Sequence, residues 1–145
     1  NDHDRVDEYM SRVIGRLLIE NRSVAAAPPG EEYASLAFLT GLLENLDETY
    51  KFLSRYSYSF WLNCAQMAEN LPFTSSIDGE PMPYILLQLL DIATDGLKRR
   101  GFAEESYLQP LVERLARNQS PAEKALEIFS TQGMKGVIKH LSYQR

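Results

Sequence analysis

The sequence predicts a mainly α chain with one short strand near its start. Three observations carry this. After residue 31, apolar residues recur at three- and four-residue spacing over most of the length. Start and stop residues punctuate the pattern: Ser120-Pro121-Ala122-Glu123 opens one helix and Gly101 closes another. Against this background, Leu17-Leu18-Ile19-Glu20-Asn21-Arg22-Ser23 is the one strand-like apolar run, and it contains charged groups. The chain divides into residues 1–30, a helix, a strand and a proline loop, and residues 31–145, a helical domain.

Taken in order, Val6, Met10, Val13 and Ile14 give a first helix from Asp4 to about Ile14, capped by Asp2 or Asp4 and broken by Gly15. The strand follows, and Pro28-Pro29-Gly30 ends it. Glu31 and Glu32 then sit in the first turn of a helix running to about Asn45, with Leu36, Leu39, Leu43 and Leu46 as its buried stripe. A shorter helix spans Asp47 to Arg55, with Tyr50 and Leu53 on one side. Tyr56, Tyr58, Phe60 and Trp61 read as core and packing aromatics, a binding groove being the other reading. Phe60, Cys64, Met67 and Ala68 continue a helical face to about Asn70.

Leu71 to Pro83 reads as the longest loop, with three prolines and the turn dipeptide Asp78-Gly79. Tyr84 to Arg100 gives the strongest helical signal, through Leu86, Leu89, Leu90, Ala93 and Leu97. Lys98, Arg99 and Arg100 fall in its last turn, where the helix dipole favours cations. Glu104 to Asn118 is a further helix with Leu108, Leu111, Val112 and Leu115 inward, interrupted near Pro110, which either lies in its first turn or kinks it. Leu126 and Phe129 are core contacts of the helix capped by Ser120. After Gly133, Met134, Val137, Ile138 and Leu141 form a last short helix, with His140 in its final turn in a charged or capping role.

With 145 residues and 44% hydrophobic content, the chain can bury a real core. A net charge of −5 without a basic stripe argues against a nucleic-acid partner. No apolar run reaches the roughly 18 residues of a membrane span, and the first residues lack signal-peptide character. A single cysteine, Cys64, cannot form an internal disulfide, which suits a reducing cytosol. There is no Gly-rich phosphate loop, no His/Cys cluster at metal-ligand spacing, and no nucleophile with a paired base. The chain opens on Asn1, within a few residues of an amphipathic helix, and so reads as a fragment of a larger protein.

Alternation along a strand puts Leu18, Glu20 and Arg22 on one face. A carboxylate there can hold a hard cation such as Mg2+ through oxygen. A guanidinium two residues on can clamp a phosphate oxygen with paired hydrogen bonds. That combination suits phosphoryl chemistry. The same two residues also fit a solvated ion pair on an exposed strand face, and the residues alone leave both readings open.

Ile19-Glu20-Asn21-Arg22-Ser23, preceded by Gly15 and followed by the proline loop and the helix Tyr33 to Asn45, resembles the strand–loop–helix of glutamate–cysteine ligases and their carboxylate–amine ligase relatives, whose strand reads E-x-R. A second stretch runs from Leu90 to Phe102, with Gly96-Leu97-Lys98-Arg99-Arg100-Gly101 at its centre, and on through Tyr107-Leu108 to Ser120-Pro121-Ala122-Glu123-Lys124. It resembles the C-terminal helical portion of the plant and proteobacterial ligases, where G-L-x-R-R-G precedes a helix and then T-P-A-E-K. Together the two similarities cover about half the chain. Asn21 stands where the family usually has an aliphatic residue, and the tail Gly133 to Val137 departs from the plant ending.

The resemblance implies the last strand and helical C-terminal region of a glutamine-synthetase-like α+β enzyme in the cytoplasm. The implied reaction, a step of glutathione biosynthesis, uses ATP to join the γ-carboxylate of glutamate to the amino group of cysteine through an acyl phosphate. By residue match, Glu20 corresponds to the strand glutamate that ligates Mg2+, and Arg22 to the arginine that contacts the transferring phosphate of ATP. Partners would be the small-molecule substrates and the remainder of a parent chain, with no nucleic acid and no membrane. The fragment alone would be inactive, because such a site needs further carboxylates from other strands. Two other readings stand beside this one: a non-enzymatic helical interaction module using Tyr56 to Trp61, and a carboxylate–amine ligase with another amine acceptor.

Overall fold

The helices that carry the core meet through small residues. The computed structural model describes residues 28–68 and 72–142. Among these residues it contains six α-helices, one 3₁₀ turn and one two-stranded hairpin, so the expectation of a mainly α chain holds for them. The first predicted helix and the strand bearing Glu20 and Arg22 lie outside the described residues.

Helix α1 (Ala34–Glu44) packs along α4 (Met82–Arg100), and these two form the centre of the fold. The buried face of α1 is Ala34, Ala37 and Gly41, against Ala93, Gly96 and Leu97 of α4. The backbones touch at the crossing. A Cβ built on Gly96 would lie 2.0 Å from the carbonyl oxygen of Gly41, and one on Gly41 would lie 2.2 Å from that of Ala93. This corrects the predicted leucine stripe, because Leu36, Leu43 and Leu46 are exposed. Bulky residues cannot occupy a crossing this close, so Leu36 and Leu43 of α1 turn outward, while Leu42 packs at the side of the core cluster. Glu31 and Glu32 precede the helix rather than sit in its first turn, and the Glu32 carboxylate accepts the Gly30 N–H at 2.9 Å.

Helix α2 (Leu46–Leu53) leaves α1 at Asn45. Two buried polar side chains fix this corner. The Asn45 amide donates to the Ile92 carbonyl at 3.2 Å and the Thr49 hydroxyl donates to the Leu42 carbonyl at 2.9 Å, so neither is buried without a partner. Thr49 and Phe52 form the buried side of α2, whereas Tyr50 and Leu53, predicted together on one side, are exposed. Helix α3 (Tyr58–Ala68) brings Phe60 and Trp61 against Phe52 and Tyr56. The rings of Tyr56 and Phe60 stack with centroids 4.3 Å apart, and the Trp61 indole N–H reaches the Leu53 carbonyl at 3.0 Å. The aromatic run is therefore core, except for Tyr58, which is exposed.

The segment expected as a loop contains a minimal antiparallel hairpin, β1 (Ser76–Ile77) and β2 (Glu80–Pro81). Asp78 (φ 51°) and Gly79 (φ 85°) make its two-residue turn, with the paired positive φ values that suit hairpin twist. Ile77 anchors it in the aromatic core beside Phe52, Phe60 and Ile85. Pro83 lies in the first turn of α4, where its missing N–H costs nothing, so the helix starts earlier than predicted.

Helix α4 buries Ile85, Leu90, Ala93 and Leu97 and stops at Gly101, which takes the left-handed conformation (φ 75°). Burying a side chain such as Leu97 is worth about 1.5–3 kcal/mol. A 3₁₀ turn (Glu104–Leu108) places Leu108 in the same cluster, and α5 (Gln109–Arg117) follows with Pro110 in its first turn. Leu111 and Leu115 pack on that cluster, but Val112 is exposed. The last helix, α6 (Pro121–Leu141), is bent at Gly133, whose φ of 66° and ψ of −168° only glycine adopts readily. Its buried side is Ile128 and Gly136, whereas Leu126 and Phe129, the predicted core contacts, are exposed.

Candidate functional site

Of the residues the sequence nominates for chemistry, Glu20 and Arg22 lie outside the described residues. Among the described residues, no three histidine, cysteine, aspartate or glutamate side chains come together where they could hold a metal ion. These residues therefore offer no three-ligand cluster of their own for the Mg2+ of the ligase resemblance.

The second nominated stretch is fully placed, and its residues act in packing. Gly96 provides the helix crossing, Leu97 is fully buried, and Gly101 ends α4. The three cations do not converge on an anion site. Lys98 and Arg99 are exposed, whereas Arg100 turns inward between two acids. Its guanidinium donates to Glu44 at 2.6 Å and to Glu104 at 2.7 Å, tying the end of α1 to the 3₁₀ turn. These bonds, Glu44 first, push the pKa of Arg100 further up. Beside it a pocket of about 220 Å³ is lined by Tyr33, Leu36, Thr40 and Tyr107. Arg114 pairs with Glu31 and so holds the proline turn to α5.

Ser120 and Glu123 form the predicted capping box. The Glu123 N–H donates to the Ser120 hydroxyl at 3.1 Å, and the Ser120 N–H donates to the Glu123 carboxylate at 2.7 Å. The other oxygen of Glu123 accepts the Phe73 N–H at 3.2 Å, linking α6 to the loop before the hairpin. The hydrogen bonds from Ser120, with a smaller one from Phe73, hold the Glu123 carboxyl below the usual carboxylate range. Ser120→Ala should cost about 1 kcal/mol locally, seen as roughly fivefold faster amide exchange in the first turn of α6. A carboxyl with a lowered folded pKa stabilises above its unfolded value, and that stability disappears as pH falls through the folded value. The gap between wild type and Glu123→Gln in the same measurement should accordingly close below about pH 4.

A cavity of about 630 Å³ lies between the proline turn and α6. Pro28, Pro29 and Glu31 form one side, and Ile128, Gln132, Gly136, Lys139 and His140 the other. The sequence gives no local signal for this cleft, since its walls are about a hundred residues apart and only His140 stands out by itself, as a residue of the last helical turn. The arrangement can bind a ligand through cationic and amide donors.

Cys64 is half-buried at the edge of the aromatic core, and burial raises its thiol pKa. At pH 7 it should react with a thiol reagent more slowly than free cysteine, because the thiolate is the nucleophile. Urea should abolish the difference.

No described helix is long and apolar enough to cross a membrane. No family model matches the chain, and no solved structure matches it. Over 48 residues the chain is 35% identical to the chloroplastic glutamate–cysteine ligase of Medicago truncatula. That stretch is 33% of this chain and 9% of the relative, so the similarity to a glutamate–cysteine ligase is partial.

Proposed function

We propose that the chain is the C-terminal part of an ATP-dependent glutamate–cysteine ligase, acting as part of a larger cytoplasmic protein. The 35% identity over 48 residues to the Medicago truncatula ligase carries this reading. The motif residues and the exposure pattern support it. In this reading Glu20 ligates Mg2+ and Arg22 stabilises the negative charge that develops on the transferring phosphate, metal and guanidinium acting together. ATP and Mg2+ supply the activation of the glutamate γ-carboxylate.

The surface of α1 supports placement in a larger protein. Ala34–Glu44 carries one charged residue in 11, and Leu36 is 63% exposed. A helix apolar on all sides is normally buried on all sides, and separation of a region from its parent leaves such a face open. The alternative, a self-contained interaction module built on Tyr56 to Trp61, loses support because Phe60 is buried and Tyr56 and Trp61 are packed with it.

The test is ADP release by the full-length parent with ATP, Mg2+ and glutamate, in the presence and absence of cysteine. Cysteine-dependent release is the expected result. Release driven by a different amine would keep the ligase class and change the acceptor, and no release with any amine would overturn the proposal in favour of the interaction module.

A further inference from the structure

The cleft between the proline turn and α6 has walls suited to a ligand. On one side, Pro28 and Pro29 have fixed φ angles and no N–H groups. The Pro28 carbonyl is already occupied by the Glu31 N–H at 3.1 Å. That wall is stiff and offers few polar groups. On the other side, Ile128 and Gln132 before the Gly133 bend and Gly136 after it line the same wall. Gly136 forms the depression, since a Cβ there would lie 2.4 Å from the Gln132 Cβ.

Charge then selects the ligand. Glu31 is the one acid among the described lining residues, and Arg114 neutralises it. Lys139 and His140 have no hydrogen-bond or ion-pair partner among the described residues. The uncompensated charge of the cleft is therefore positive, on a chain whose net charge is −5. An ammonium, an imidazole N–H and the Gln132 amide are all donors that suit anionic oxygen. A volume of about 630 Å³ lies within the usual range for small-molecule sites.

We propose that this cleft binds a small oxyanion, a carboxylate or phosphoryl group, held by Lys139 and His140 with the Gln132 amide as a further donor. The residues assigned to the site include neither Glu20 nor Arg22, so the site and the ligase reading fail or succeed independently. The chain has two histidines, His3 and His140, and His140→Gln assigns their proton resonances. Inorganic phosphate and succinate are titrated separately into the 145-residue chain, with sodium chloride at matched ionic strength as control. The expected result is a saturable shift of the His140 resonance in the millimolar range with at least one oxyanion and not with chloride. Which oxyanion saturates it identifies the phosphoryl or carboxylate class. Lys139→Met, with an unchanged far-UV spectrum, should weaken binding about tenfold. A shift that follows ionic strength alone, or equal affinity in Lys139→Met, would overturn the site.

Discussion

Gly96→Val should lower the stability of the chain by about 3 kcal/mol, at the upper end of what overpacking a core costs. At Gly96 a Cβ would already lie 2.0 Å from the Gly41 carbonyl oxygen and 2.9 Å from its carbon. Both are backbone atoms, so no rotamer change relieves the overlap, and α1 and α4 must separate. Separation loosens Ala37, Ala93 and Leu97 together, since all three belong to one core cluster. For a chain of this length the melting temperature should fall by roughly 10 °C. The sign of Gly96→Ala makes a sharper check. At an exposed helical position, glycine to alanine stabilises by about 1 kcal/mol through helix propensity. Here it should destabilise, and an increased urea midpoint would show that the crossing is not close-packed.

Arg22→Ala in the full-length parent should lower turnover by a factor of about 100 to 1000, the usual loss when one charge-stabilising donor is removed from a transition state. The fold should be unaffected, as judged by an unchanged far-UV spectrum and melting temperature. Glu20→Gln should act differently, raising the Mg2+ concentration needed for half-maximal rate, because under the proposed function it removes a hard-cation ligand. Lys98→Ala provides the comparison. Lys98 is exposed at the end of α4 and has no contact with the Arg100 ion pairs, so turnover should stay within about twofold of wild type. Unchanged turnover in Arg22→Ala would remove that residue from the chemistry.

Helices and their ends are legible in the sequence because their signals are local. Gly101, Pro110 and the Ser120–Glu123 box each act within one turn of themselves, and each sits where its chemistry predicts. Which face of a helix is buried is less legible. Leucine periodicity selects Leu36, Leu39, Leu43 and Leu46, yet the buried face of α1 is Ala34, Ala37 and Gly41. That choice is made by Gly96, more than 50 residues away, which admits a backbone and leaves no room for a leucine. The hairpin at Ser76–Pro81 is silent in the sequence because two-residue strands are too short to show alternation, although its turn dipeptide is recognisable. The cleft is invisible for a similar reason: Glu31 and Lys139 become neighbours only through the fold.

The Arg100 ion pairs and the Gly41–Gly96 contact also change what the G-L-x-R-R-G stretch signifies. Each of its distinctive residues is architectural. Gly96 admits a neighbouring backbone, Leu97 fills the centre, Arg100 fastens two segments, and Gly101 turns the chain. None of these roles depends on what is made or broken elsewhere in the protein. Selection acting on folding alone would preserve the stretch in descendants that had exchanged their substrate or lost catalysis. A search using this signature would therefore collect chains that share a scaffold, whatever their chemistry.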